Sequence, residues 1–209
     1  MTAHRGSVRR TLFAAAVPVA ALALAACGGG TGGAHATQSV TPRPTATATA
    51  SAGTHNAADV SFATEMIQHH RQAVEMAGLA HGRARSATVE ALARKIRAAQ
   101  APEITTMSGW LTSWGEPLPE DMTGMGHDMS PAMPGMMAAT DMNRLRKASG
   151  AAFDTLFLTL MVQHHQGAVT MAKSEQGKGS YGPAIALAGN VVVAQSAEIE
   201  RMRQLLGQV

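Results

Sequence analysis

The sequence is dominated by two similar blocks of sixteen residues, FATEMIQHHRQAVEMA from Phe62 and FLTLMVQHHQGAVTMA from Phe157. Ten of their sixteen positions are identical, at a constant offset of 95 residues. The offset holds outside the blocks without a gap, since Asp59 corresponds to Asp154. Matching segments at one fixed spacing are typical of an internal duplication. The folded part of the chain is therefore predicted to contain one unit twice.

Each copy contains two segments with the periodicity of an amphipathic helix. The first segments place on one face Met66, His69, Ala73 and Met76 in copy one, and Met161, His164, Ala168 and Met171 in copy two. The second segments carry a carboxylate inside a similar apolar stripe, at Glu103 and Glu198. We predict an all-α fold, a four-helix bundle built from two duplicated helix-hairpin units, with a kink or break at Pro102.

The predicted folded domain spans residues 58–209. It divides into copy one at 58–114, a Met-rich linker at 115–140 and copy two at 141–209. The linker is rich in Gly and Pro and has no helical stripe, so it is expected to be mobile and to contribute nothing to the core. A short helix is expected after Thr140, ending near Ser149.

The first 26 residues have the features of a bacterial signal peptide, with a basic start and a short apolar run. The run ends in Leu-Ala-Ala-Cys27-Gly, which resembles the bacterial lipobox, whose Cys is lipidated and becomes the new amino terminus. We expect a lipoprotein anchored through Cys27 to the outer face of the cell membrane; an ordinary signal peptide with an incidental Cys is the alternative. Arg9 and Arg10 leave general secretory and twin-arginine export both open. Residues 27–57 read as a flexible Gly/Thr/Pro tether, with His55 exposed to solvent.

Composition excludes several classes of protein. The chain has 17 basic and 14 acidic residues, and removal of the signal peptide with Arg5, Arg9 and Arg10 leaves 14 of each (17 − 3 = 14). A mature protein with no excess charge, no run of Lys and Arg and 3% aromatic residues lacks the features of nucleic-acid binding. One Cys excludes internal disulfides and Cys-based metal sites. The sequence also lacks a phosphate-binding loop and a nucleophile elbow, which favours a role other than enzymatic catalysis.

Imidazole groups on a core-facing stripe need partners, and a metal ion would satisfy several of them at once. Thioether and imidazole together favour copper, particularly Cu(I). The predicted helical ligands are Met66, His69, His70, Met76, Met161, His164, His165 and Met171. Glu103 and Glu198 are expected to orient imidazoles, or to bind directly if the ion is harder. Asp59 and Asp154 are candidate ligands or helix N-caps, and a purely structural His–Glu network is the alternative to a metal site.

The linker adds a second group of candidate copper ligands. They are Met122, Met125, His127, Met129, Met133, Met136 and Met137. Their pattern resembles the Met-rich stretches of copper transporters and periplasmic copper chaperones, so we expect them to capture Cu(I) or to pass it to a transporter or acceptor protein. Oxidant sinks and adaptable contact surfaces are the alternatives.

A di-iron site of the ferritin type is a competing prediction, since such bundles use two lone Glu and two Glu-x-x-His motifs. Glu103 and Glu198 match the first half of that set. Met66 and Met161, however, stand three residues before His69 and His164, where carboxylates would be needed. Thioethers at these positions make copper the favoured ion and iron the less favoured one.

The two blocks resemble the domain-of-unknown-function 305 family, over about residues 57 to 207. The family motif marks Asp59, Met66, His69, His70 and Met76, and again Asp154, Met161, His164, His165 and Met171. The resemblance implies a ferritin-like helical domain in an exported bacterial protein, with some relatives acting in periplasmic copper binding and copper resistance. We therefore expect a lipid-anchored extracytoplasmic protein that sequesters or chaperones copper. A di-metal oxidoreductase and a metal-free helical interaction module are the alternatives.

Overall fold

A computed structural model describes residues 53–121 and 133–208 of the chain. These residues form five helices and no strand, which confirms the all-α prediction: α1 (Ala57–Gly78), α2 (Ala87–Trp114), α3 (Ala139–Lys147), α4 (Gly150–Lys178) and α5 (Gly182–Leu206). No described helix has the length and apolar composition needed to cross a bilayer. The predicted signal peptide, Cys27 and most of the predicted tether lie outside the described residues.

Local sequence signals account for the ends of the first two helices. The Asn56 side chain caps α1 by accepting from backbone N–H groups of its first turn, and α2 ends at Gly115, whose φ of 76° is readily adopted only by glycine. The helix α2 continues without a break through Pro102, so the break expected there is not found. Proline removes a single N–H group, and α2 has buried side chains both before and after that point.

The helices pack in a simple pattern. The helix α1 lies against α2, α4 lies against α5, and α1 and α4 contact each other at the centre. The second helix of each pair begins 95 residues apart, at Ala87 and at Gly182. This contact between α1 and α4 brings the two His-containing faces together.

The short helix α3 confirms the expectation of a helix in this region, although it begins at Ala139. Its Met142 and Leu145 side chains are buried in the core. Arg146 pairs with Glu75 of α1, and its carbonyl accepts a 3.1 Å hydrogen bond from Arg83 Nε. The helix α3 also contacts α4, so it covers the face between the end of α1 and the start of α4.

Candidate metal centre

His69 of α1 and His164 of α4 lie face to face at the centre of the helical core. Their ring centroids are 3.8 Å apart, with an angle of 39° between the ring planes. Both side chains are fully buried. One imidazole from each half of the sequence thus meets its counterpart away from solvent.

The neighbouring histidines each pair with a carboxylate. His70 Nε2 lies 2.7 Å from Glu103 Oε2, and His165 Nε2 lies 2.7 Å from Glu198 Oε2. An ionised carboxylate only accepts, so each Nε2 donates its hydrogen, and in a neutral imidazole this arrangement leaves the lone pair on Nδ1. Both Nδ1 atoms are buried and have no hydrogen-bond partner in the described part of the chain.

The two central imidazoles, His69 and His164, are neutral, and they too have nitrogens without hydrogen-bond partners. Burial lowers the pKa of His69 to about 3 and lowers the pKa of His164 well below its ordinary value. His69 Nε2 donates to the Pro134 carbonyl at 3.1 Å, which leaves its Nδ1 unpartnered. Neither ring nitrogen of His164 has a hydrogen-bond partner of good geometry among the described residues. Neutral, buried and unpartnered imidazole nitrogens are the form in which His binds a metal.

The helices that carry the histidines and their Glu partners also carry six buried thioethers. Three of them share one cluster of the core: Met66, Met107 and Met171. Their counterparts 95 residues away share the other cluster: Met161, Met202 and Met76. Met107 and Met202 are not among the predicted ligands, although each falls on the same helical stripe as a predicted site residue, four positions after Glu103 and Glu198.

The end of the Met-rich linker crosses the histidine pair and is part of the packed structure. A Cβ atom added at Gly167 of α4 would lie 2.0 Å from the Pro134 carbonyl oxygen, so the two backbones touch there. Gln72 of α1 exchanges two hydrogen bonds with the Met137 backbone, at 3.0 and 2.7 Å. Met137 is buried in the core. The expectation that this linker contributes nothing to the core is therefore wrong for Met137.

The other predicted linker ligands are only partly described. Met133 and Met136 are half-buried on either side of Pro134, while Met122, Met125, His127 and Met129 lie outside the described residues. His55, expected to be solvated, instead stacks on Trp114 with ring centroids 4.4 Å apart. The composition of the predicted tether gives no signal of an aromatic partner as distant in sequence as Trp114.

The carboxylates of Asp59 and Asp154 accept hydrogen bonds from backbone N–H groups of two different loops. Asp59 completes the capping box of α1 and accepts from the N–H groups of Ser180 and Tyr181. Asp154 accepts from the N–H groups of Arg85 and Ser86, which correspond to Ser180 and Tyr181 at the offset of 95 residues. The N-cap residues of α1 and α4 are Asn56 and Ser149, so neither carboxylate is the N-cap of its own helix, and both bind backbone N–H groups of a loop instead.

Glu175 adds an unusual carboxyl group beside Asp59. Burial, aided by Asp59, raises the pKa of Glu175 to about 8. For Asp59, burial acts to raise the pKa, but hydrogen bonds from Glu175 and from three backbone groups leave it below its ordinary value. A neutral Glu175 beside an ionised Asp59 accounts for both directions.

The described His and carboxylate side chains do not by themselves form a complete set of metal ligands. Within residues 53–121 and 133–208, no group of three or more His, Cys, Asp and Glu side chains is arranged to hold a metal ion. An ion at the centre of this core would have to be held by imidazole and thioether together.

Comparison with known proteins identifies the family. The profile of the family described as Domain of unknown function (DUF305) matches residues 59–206. This chain belongs to the DUF305 family. The resemblance expected from the paired motifs is therefore confirmed.

Several solved structures resemble this DUF305 chain. A Streptomyces coelicolor DUF305 protein, described as secreted, is 36% identical, with 72% of this chain and 93% of that chain covered and a TM-score of 0.65. A DUF305 fragment from Deinococcus radiodurans is 31% identical, with 75% and 100% covered and a TM-score of 0.66. The Cu(I)-bound form of CopM is 31% identical, with 72% and 96% covered and a TM-score of 0.59. CopM is also known in Cu(II)-bound and Ag-bound forms. Among curated proteins, none matches this chain.

Proposed function

We propose that this protein binds Cu(I) in the buried cluster of His69, His164 and the surrounding Met side chains. The facing imidazoles with unpartnered nitrogens are the observation that carries the proposal. Buried polar groups without partners cost stability, and a bound ion would offset that cost. Imidazole and thioether together are soft ligands suited to copper in its reduced state.

Each of the two His–Glu pairs would offer one further nitrogen beside the ion, although no three imidazoles are gathered as one ligand group among the described residues. Each carboxylate fixes its imidazole with Nε2 protonated, so Nδ1 of His70 and of His165 is the free nitrogen. Carboxylates that bind metal-ligating histidines in this way set the tautomer and raise the basicity of the ligand. Glu103 and Glu198 therefore act through the imidazoles.

The cellular role that fits this chemistry is sequestration or chaperoning of copper in copper resistance, outside the cytoplasm. Relatives with bound Cu(I), Cu(II) and Ag, and a relative described as secreted, support this role. Cys27 would carry the lipid that anchors the protein to the outer face of the membrane. The Met-rich segment from Met122 to Met137 would capture Cu(I) or pass it to a transporter or acceptor protein.

A ferritin-like arrangement of two duplicated hairpins is the finer fold we infer. The packing of α1 on α2 and of α4 on α5 supports it, as do the contacts repeated at an offset of 95 residues. The fold does not make the protein a di-metal oxidoreductase. Glu103 and Glu198 each hold one imidazole, and thioethers occupy the places of the missing carboxylates.

Competition between the protein and a chromophoric Cu(I) chelator tests this proposal, in the full chain with Cys27→Ser to remove the thiol. His69→Leu with His164→Leu should abolish tight Cu(I) binding. His81→Leu is the matched control, because the His81 side chain is 92% exposed. Retention of tight binding by the double variant would overturn the proposal.

The stability of the metal-free double variant separates a metal site from a structural network. Leucine fills a similar volume and removes three unpartnered nitrogens, so the metal-free variant should be at least as stable as its parent. Added Cu(I) should raise the melting temperature of the parent and leave that of the variant unchanged. A strongly destabilised metal-free variant, with no effect of copper on the parent, would support the metal-free interaction module instead.

A further inference from the structure

Two equivalent faces flank the contact between α1 and α4, and α3 covers only one of them. The covered face lies between the end of α1 and the start of α4, where Met142 and Leu145 of α3 are buried. The positions 95 residues away line an open groove of about 520 Å³, between the start of α1 and the end of α4. Within residues 53–121 and 133–208, one side of the repeat is thus covered by a helix and the other is not.

The two faces also differ in the side chains that line them. On the covered face stand Phe153, Leu156, Leu160, Leu79 and Ala80. The corresponding residues of the groove are Ala58, Ser61, Glu65, Ser174 and Glu175. Large apolar side chains that seat α3 are replaced by small and polar ones, so the groove is suited to contain water and a passing cation rather than a packed helix.

The groove leads to the metal-binding cluster. Met171, a member of the thioether set beside the histidines, lines the groove and is 8% exposed, whereas its counterpart Met76 beneath α3 is 0% exposed. Pro134 lines the groove too, is exposed, and accepts the hydrogen bond from buried His69. A single residue therefore separates the groove from an imidazole of the central pair.

We propose that Cu(I) reaches and leaves the buried His/Met cluster through this groove, with the Met171 thioether as its first ligand. This inference rests on the proposed copper binding and adds its route. Two exposed charged side chains line the groove, Glu65, which stands where the covered face has Leu160, and Lys178, so the Met171 thioether and not net charge would draw the ion. On the opposite side, α3 blocks access to the equivalent thioether, Met76.

Variants that give the groove the chemistry of the covered face test the route. Ser61→Leu with Ser174→Leu introduces the counterpart residues at two exposed positions, in the full chain with Cys27→Ser. The rates of Cu(I) uptake from a chromophoric chelator and of its release should both fall by about tenfold or more, with the equilibrium affinity unchanged. Thr155→Leu with Ser196→Leu, both at exposed positions outside the groove, is the matched control and should leave both rates unchanged.

A reversible block removes any question of altered folding. Ser61→Cys, labelled with a bulky thiol-reactive disulfide reagent, should exchange copper slowly, and exchange should recover when reductant removes the label. Labelled Ser196→Cys should exchange at the parental rate. Unchanged rates in both groove variants, with tight binding intact, would overturn the route and leave copper binding standing. Loss of tight binding in parent and control alike would instead contradict the proposed function.

Discussion

Glu103 of α2 holds His70 of α1 through a hydrogen bond of 2.7 Å, and the imidazole is fully buried while the carboxylate is about a quarter exposed. Glu103→Gln should weaken Cu(I) binding by about 10- to 100-fold, because an amide can donate as well as accept and no longer fixes the imidazole tautomer. Chelator competition measures the change. Glu200→Gln, at an exposed position on α5, is the control, and an affinity equal to that of this control would contradict the orienting role of Glu103.

The close contact between Gly167 and Pro134 predicts that one methyl group added at position 167 destabilises the protein. Gly167→Ala would place its Cβ 2.0 Å from a carbonyl oxygen, so the crossing segment must shift and the free energy of unfolding should fall by about 1–3 kcal/mol. Gly177→Ala, in the same helix with no atom within 4 Å, should instead stabilise by about 0.5–1 kcal/mol. Equal changes in the free energy of unfolding for the two variants, measured by chemical denaturation, would show that the segment around Pro134 does not pack closely against α4.

Periodicity in the sequence predicted the helical faces well. The stripe that contains Met66 and His69 is buried, and so is its counterpart with Met161 and His164. A helix presents residues three, four and seven apart to one side, so a repeated stripe is enough to predict which side chains face the core. The carboxylate within the stripe of the second helices likewise pointed to Glu103 as a neighbour of the histidines.

Long-range contacts could not be predicted in the same way. Met137 is buried because Gln72, 65 residues away, binds its backbone, and because Gly167 lets the chain approach α4. A Gly- and Pro-rich stretch gives no periodic signal of such contacts. The raised pKa of Glu175 also depends on a neighbour, Asp59, that lies in a different helix.

Asp59 is predicted to matter for folding and not for copper. Asp59→Ala leaves the N–H groups of Ser180 and Tyr181 without their acceptor, so the free energy of unfolding should fall by about 1–3 kcal/mol. Cu(I) affinity, measured where the variant is still folded, should remain that of the parent. A large loss of affinity with unchanged stability would identify Asp59 as a ligand after all.

Glu175 should give stability a distinct dependence on pH. Its pKa is about 8 in the folded protein and 4.5 ordinarily, so between these values the folded state keeps a proton that the unfolded chain releases. The contribution to stability is full below pH 4.5 and is lost as the pH rises through about 8. Glu175→Gln is neutral throughout and should remove this loss.

Between pH 6.5 and 8, the effect of Glu175 on stability can be measured without the opposing effect of His69. The lowered pKa of His69 acts in the opposite direction and only between about 3 and 6.5. Denaturant unfolding across the upper range should show stability falling with pH in the parent and a flatter profile in Glu175→Gln. Parallel profiles would mean that Glu175 is ionised in the folded state.

X-ray absorption at the copper edge tests the central claim most directly. The Cu(I)-loaded full chain with Cys27→Ser should show a mixed shell of imidazole nitrogen and thioether sulfur, because both ligand types meet in the core. His69→Leu with His164→Leu should remove the imidazole scattering. A sulfur-only shell in the parent, unchanged in the double variant, would contradict a copper site at the histidine pair.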